Sequence, residues 1–106
     1  FTVLRNILLL HIDLKDYKLA EQKSDEALER YPSQPVLYLL NGVALNNLKQ
    51  PQNAVNSLET GLDYIIDNTK MEIDFYKQLG KAYTALNNFT KAKTFNDKAA
   101  KLELAN

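Results

Sequence analysis

A unit of 34 residues returns along this chain, and that period constrains the fold more than any single residue does. Gly42 and Gly80 sit in matching settings, Tyr38-x-x-Asn41-Gly42-x-x-Leu45 and Tyr76-x-x-Leu79-Gly80-x-x-Tyr83. Twelve residues after each glycine comes an alanine, Ala54 and Ala92, and seven further on another small residue, Gly61 and Ala99. Ala20, Ala27 and Pro32 mark a third copy upstream. Aligned on these residues the copies run 1–34, 35–68 and 73–106, with 69–72 as an insert, so one repeat domain over 1–106 is expected.

Each copy holds two helical patterns. Val36, Leu37, Leu39, Leu40, Val43, Ala44 and Leu48 follow helical spacing rather than alternation, as do Ala54, Val55, Leu58, Leu62 and Ile65. Pro32-Ser33-Gln34-Pro35 and Lys49-Gln50-Pro51 carry turn chemistry, since proline suits a first helical turn but not an interior. Asp16 and Asn88 are suited to N-caps. Six helices are predicted over 2–14, 17–30, 35–48, 51–67, 70–86 and 89–104. Thr69 and Glu72 have the spacing of a capping box, and four residues are close to one helical turn. The insert is therefore expected to lengthen the fifth helix by a turn. Antiparallel helices need small residues where their backbones approach, and Gly42 with Ala54, and Gly80 with Ala92, are the expected partners. One hairpin cannot bury its apolar face alone, whereas stacked hairpins can.

Composition narrows the function. Lys and Arg total 13, as do Asp and Glu, so the net charge is zero and no broad phosphate-neutralising surface is expected. There is no cysteine, hence no disulfide or thiolate metal site. The longest apolar run, 7–10, is too short to span a bilayer. The zero balance hides an asymmetry: copy one sums to −1, copy two to −2 and copy three to +3. The chain begins at Phe1 and shows no signal peptide, as expected of a piece of a longer protein.

The pattern resembles the tetratricopeptide repeat (TPR). Tyr76, Leu79, Gly80, Tyr83, Ala92 and Ala99 fit it best. Tyr38, Gly42, Leu45, Ala54, Leu58 and Gly61 fit the second copy, which departs at Asn41, where leucine is usual. Asp16, Tyr17, Ala20, Ala27, Leu28, Glu29 and Pro32 fit the first, whose opening helix is poor, with Leu4, Leu8 and His11 in place of Trp, Gly and Tyr. Ser24 and Asn96 replace the usual aromatic of the second helices. The resemblance implies an all-α, right-handed superhelical solenoid of three helix-turn-helix hairpins, with Gly42, Ala54, Gly61, Gly80, Ala92 and Ala99 packing the repeats together. It also implies a non-catalytic scaffold whose first helices line a concave groove for a protein or peptide. Similar proteins are multi-repeat bacterial chains, some of the cell envelope, which leaves cytoplasm and envelope both open.

Carried onto this chain, the family's groove positions suggest Arg5, Val36, Leu39, Val43, Asn46, Asn47, Lys77, Lys81 and Thr84 as contacts. Leu9, Val36, Leu39 and Val43 would form an apolar floor; Lys77 and Lys81, four apart, share a helix face. That combination suits a segment with apolar anchors and an acidic end. The family's carboxylate clamp for chaperone tails is not matched: its places hold Arg5, Leu9, Leu40, Asp74 and Gln78, and Asp74 would repel a carboxylate. Against the groove reading stands the possibility that these apolar residues only pack on neighbouring helices. The segment would then be a spacer in a longer solenoid, self-associating weakly through its open ends, with flanking repeats as its partners. Nucleic acid is not an expected partner, nor is direct membrane insertion.

No catalytic, cofactor or metal residues are expected. Phosphate-binding glycine loops are absent. His11, the one histidine, falls in a core position, and Asp25, Glu26 and Glu29 fall on a helix face where solvent should keep their pKa values ordinary. Asn41, polar in a core-like place, should find a hydrogen-bond partner.

Overall fold

The computed structural model describes residues 1–105. They form six α-helices: α1 (Thr2–Asp13), α2 (Tyr17–Arg30), α3 (Pro35–Asn47), α4 (Pro51–Leu62), α5 (Thr69–Ala85) and α6 (Phe89–Ala105). There is no strand among the described residues. Pro35 and Pro51 open α3 and α4, where a missing N–H costs nothing. The Asp16 side chain accepts from the Leu19 N–H, and that of Asn88 from the Lys91 N–H, so both cap as expected.

The turns α1–α2, α3–α4 and α5–α6 are built alike. Lys15, Lys49 and Asn87 adopt the left-handed conformation, with φ of 60°, 63° and 61°. In the first, the Lys15 N–H bonds the Ile12 carbonyl and the Asp16 N–H reaches back to that of His11; the same pair of bonds recurs in the other two. These are Schellman closures, in which the residue ending one helix signal also starts the next helix. Glycine is the usual occupant of the left-handed place, so Lys15 and Lys49 gave no sign of it in the sequence.

Helices adjacent in sequence pack on one another, and α1 also touches α3, as α3 does α5. Among the described residues α2 does not touch α4, nor α4 α6. The odd helices thus form a close inner row and the even helices a splayed outer one, the geometry of stacked helical hairpins with a concave odd-helix side.

The core has two parts. One lies where α3 and α4 meet α5 and α6, around Leu45, Val55, Leu58, Phe75, Leu79 and Tyr83; the other joins α1, α2 and α3 through Leu8, Ala27, Leu37 and Leu40. Between α2 and α3 lies a polar joint. Asn41, 3% exposed, donates from Nδ2 to Ser24 Oγ at 2.8 Å and Asp25 Oδ1 at 2.9 Å, while Ser24 donates to the Glu21 carbonyl. The expected partner for Asn41 is therefore Ser24, one of the two residues standing where an aromatic is usual. Burial pushes the Asp25 carboxyl up, with Glu21 and Glu29 adding to the shift and the Asn41 hydrogen bond opposing it. The ordinary carboxylate expected at Asp25 is thereby corrected.

Two further expectations need correction. The fourth helix stops at Leu62 rather than 67: Asp63, Tyr64 and Ile65 bond the carbonyls three residues back, tightening the chain. This turns Ile65 onto the core and stacks Tyr64 on Tyr38, with ring centroids 5.8 Å apart. The fifth helix is longer than the third by the expected turn, 17 residues against 13. Its cap, however, is Asn68, whose side chain accepts from the Met71 N–H at 3.0 Å; Thr69 is already helical, and Glu72 accepts from the Tyr76 hydroxyl instead. The glycines are enclosed by larger side chains. A Cβ on Gly42 would run into the Leu58 side chain, one on Gly80 into Asn96, and one on Gly61 into Tyr38 Cβ and the Phe75 ring. Leu58 and Asn96 thus fill the space beside Gly42 and Gly80. Ala54, Ala92 and Ala99 are themselves buried.

Candidate functional site

The concave side of the odd helices holds a cavity of about 290 Å³ lined by Leu9, Leu39, Leu40, Val43, Asp74, Lys77, Gln78 and Lys81. α1 contributes Leu9, α3 the three apolar residues that follow, and α5 the polar wall. Helical periodicity explains the sharing: Leu39, Leu40 and Val43 lie three and four apart, as do Asp74, Lys77, Gln78 and Lys81. Leu40 is buried, Leu39 and Val43 are half-buried, and Leu9 is 40% exposed. A second cavity, of about 470 Å³, adjoins it and is lined by Asn46, Asn47, Lys49, Pro51, Lys81 and Ala85. Lys81 borders both.

The polar residues of this surface are not equivalent. Lys77 Nζ lies 3.1 Å from Glu103 Oε2 on α6, and Asp74 pairs with Lys70 at 3.8 Å. Lys81 makes no ion pair among the described residues. Asn46 Nδ2 donates to the carbonyl and Oε1 of Gln78, tying α3 to α5, while Asn47 Nδ2 donates to the Val43 carbonyl of its own helix. Both amide nitrogens are thus engaged within the fold.

The residues read from the sequence therefore separate. Leu39, Val43, Lys77 and Lys81 line the first cavity, and Asn46, Asn47 and Lys81 the second. Val36 packs instead on the α1–α3 part of the core. Thr84 bonds its hydroxyl to the Gly80 carbonyl, and neither it nor Arg5 lines either cavity. Lys49 was missed. It lies in the turn after α3, outside the first-helix positions that define the groove, yet its left-handed backbone sets it beside the same cavity as Lys81.

Among the described residues no group of three or more His, Asp or Glu side chains is placed to hold a metal ion, and no helix is long and apolar enough to cross a membrane. His11 is half-buried in α1. Tyr83 donates its hydroxyl to Glu59 Oε1 at 2.9 Å, and burial with that bond pushes its pKa up to about 12. Its ring stacks on Phe95 at 5.7 Å under the Lys91 ammonium, so it joins α4, α5 and α6 rather than facing the groove.

The tetratricopeptide repeat family matches residues 73–106, the segment that runs from the second turn of α5 through α6. No curated protein matches the chain.

Proposed function

We propose that this chain, whose residues 73–106 match the tetratricopeptide repeat family and whose six stacked helices fit a protein of that kind, is a protein-interaction scaffold that takes a peptide segment in the concave groove. The observation that carries this reading is the cavity between α1, α3 and α5, where a half-exposed apolar floor of Leu9, Leu39 and Val43 meets Lys81. An apolar side chain entering there gains from leaving water, about 25 cal/mol per Å² of surface buried. A carboxylate nearby finds Lys81, with Lys49 across the second cavity. The ligand is therefore a segment with one or two apolar anchors beside an Asp or Glu. Asp74 lies on the far side of Lys77 and disfavours a carboxylate at that end, which orients the segment with its acidic residue toward Lys81 and Lys49. Tetratricopeptide repeats are typically non-catalytic.

The test is selection of a displayed random-peptide library on the immobilised chain, followed by titration of the recovered peptides. Selected peptides should combine an apolar anchor with Asp or Glu. Lys81→Glu should weaken them about tenfold or more, the scale of losing one favourable charge contact of ~1.4 kcal/mol and gaining a repulsive one. Recovery of basic peptides, or equal binding by Lys81→Glu, would contradict the reading.

A further inference from the structure

Two packing demands meet at the centre of α3. Gly42 is buried, and a Cβ there would run into the Leu58 side chain of α4, so this place favours glycine. Asn41 beside it is buried too, and its Nδ2 makes the two hydrogen bonds, to Ser24 Oγ and Asp25 Oδ1, that join α3 to α2. The glycine answers to α4 and the asparagine to α2. Together they write Asn-Gly, the dipeptide in which asparagine loses its amide most readily, and it occurs once in the chain. With no side chain on the second residue, its backbone nitrogen can approach the asparagine side chain closely.

We propose that Asn41 is a latent modification site: the packed stack keeps it intact, and each opening of α3 exposes it to conversion into aspartate or isoaspartate, after which the α2–α3 joint does not re-form. In this reaction the Gly42 nitrogen attacks Asn41 Cγ and gives up its proton. The Cγ–Nδ2 bond breaks and ammonia leaves, so that a cyclic imide forms. Water then adds to one of the two imide carbonyls and opens the ring. The product is aspartate or, with the chain rerouted through Cβ, isoaspartate. Water is the only co-reactant, and nothing is oxidised or reduced. The folded chain blocks the reaction at both groups. An N–H inside a helix bonds the carbonyl four residues back, which holds the Gly42 nitrogen to Tyr38 and away from Cγ. Ser24 and Asp25 hold Nδ2, the group that must leave, in a place closed to water.

The product cannot take the place of the amide. Nδ2 is the donor in both bonds of the joint, whereas an ionised aspartate only accepts. Its carboxylate would meet Asp25, which already feels the charges of Glu21 and Glu29. Glu21 Oε2 is itself buried without a hydrogen-bond partner, and the nearby cation, Lys18, is drawn to Glu21 Oε1 at 3.7 Å. A further buried negative charge without its own cation strongly disfavours closure. Isoaspartate adds a backbone atom in mid-helix and so breaks the register between Leu39 and Val43. α3 touches α1, α2, α4 and α5, so its loss opens both parts of the core. The part that joins α1 and α2 to α3 is the smaller one, which makes the first hairpin the less firmly held. None of this depends on what the groove binds.

The test is to hold the chain at neutral pH and body temperature, with and without denaturing urea, and to follow the tryptic fragment 31–49 by mass spectrometry. Fragmentation of that peptide separates Asn41 from Asn46 and Asn47. In urea Asn41 should convert first. Without urea it should convert about tenfold more slowly or less, because the rate follows the fraction of chains that are open. Asn41→Gln, which keeps an amide on a longer arm, should resist conversion in urea. Asn41→Asp, made directly, should be less stable than Asn41→Ala by about tenfold in the unfolding equilibrium, since alanine removes the donor without adding a charge; failure of Asn41→Asp to fold where Asn41→Ala folds counts the same way. Equal conversion rates with and without urea, conversion at Asn46 or Asn47 ahead of Asn41 in urea, or an Asn41→Asp chain at least as stable as Asn41→Ala would overturn the proposal.

Discussion

At the scale of single residues, two polar groups inside the stack determine how well its hairpins hold together. Asn41 replaces an apolar residue, and its Nδ2 bridges Ser24 and Asp25 across the α2–α3 joint. Asn41→Ala removes the donor and leaves Asp25 further disfavoured as an ion. Urea denaturation should show a loss of about 1–3 kcal/mol, the scale of an unpaired buried polar group; no loss would mean that water replaces the bond at no cost. Tyr83 concerns the alkaline side. Its folded-state pKa, about 12, lies above the ordinary 10.0. The folded state therefore holds the proton more tightly, so the Tyr83 contribution is whole below pH 10.0 and is lost as pH rises toward about 12. Tyr83→Phe should lose stability less steeply than the parent across that window in thermal melts at stepped pH. Parallel curves would place the alkaline loss in other tyrosines.

At the scale of elements, the sequence was legible where periodicity and turn residues agree. Five of six helix ranges fall within a residue of expectation at either end, because Pro35 and Pro51 start helices and Asp16 and Asn88 cap them. The fourth helix was overextended because Ile65 continues the apolar spacing of Leu58 and Leu62 although the backbone has already tightened. The extra turn of α5 followed from counting four inserted residues, but its cap did not. Asn68 and Thr69 are adjacent residues of equally good capping chemistry, and only the backbone decides which one lies outside the helix. Asn68→Ala should therefore cost about 1 kcal/mol, while Thr69→Ala should stay within roughly 0.5 kcal/mol, as exposed substitutions usually do. Chemical denaturation of the two variants compares them directly, and the reverse order would restore Thr69 as the cap.

At the scale of the whole molecule, the concave groove was partly legible. The resemblance to the repeat family implies that Leu39, Val43, Lys77 and Lys81 share the groove, and the structure sets them around one cavity. What the resemblance could not convey is which cation is already engaged. Glu103 is 26 residues from Lys77 in the chain, and only the packing of α6 on α5 brings them to 3.1 Å. Nor could it separate Val36, which turns into the core, from Leu39 and Val43. The likeness between copies equally conceals the difference between ends: the positions that bury α3 and α5 leave α1 with an apolar stripe, while α6 ends among ion pairs.

The central claim is that the groove between α1, α3 and α5 receives an apolar and acidic segment. Mapping of backbone amide shifts on titration with a selected peptide tests it most directly. The expected result is a set of saturating shifts confined to the residues around Leu9, Leu39, Val43, Lys49 and Lys81, abolished by Lys81→Glu at the same peptide concentration. Shifts centred on the outer row of even helices, or shifts that persist in Lys81→Glu, would contradict it.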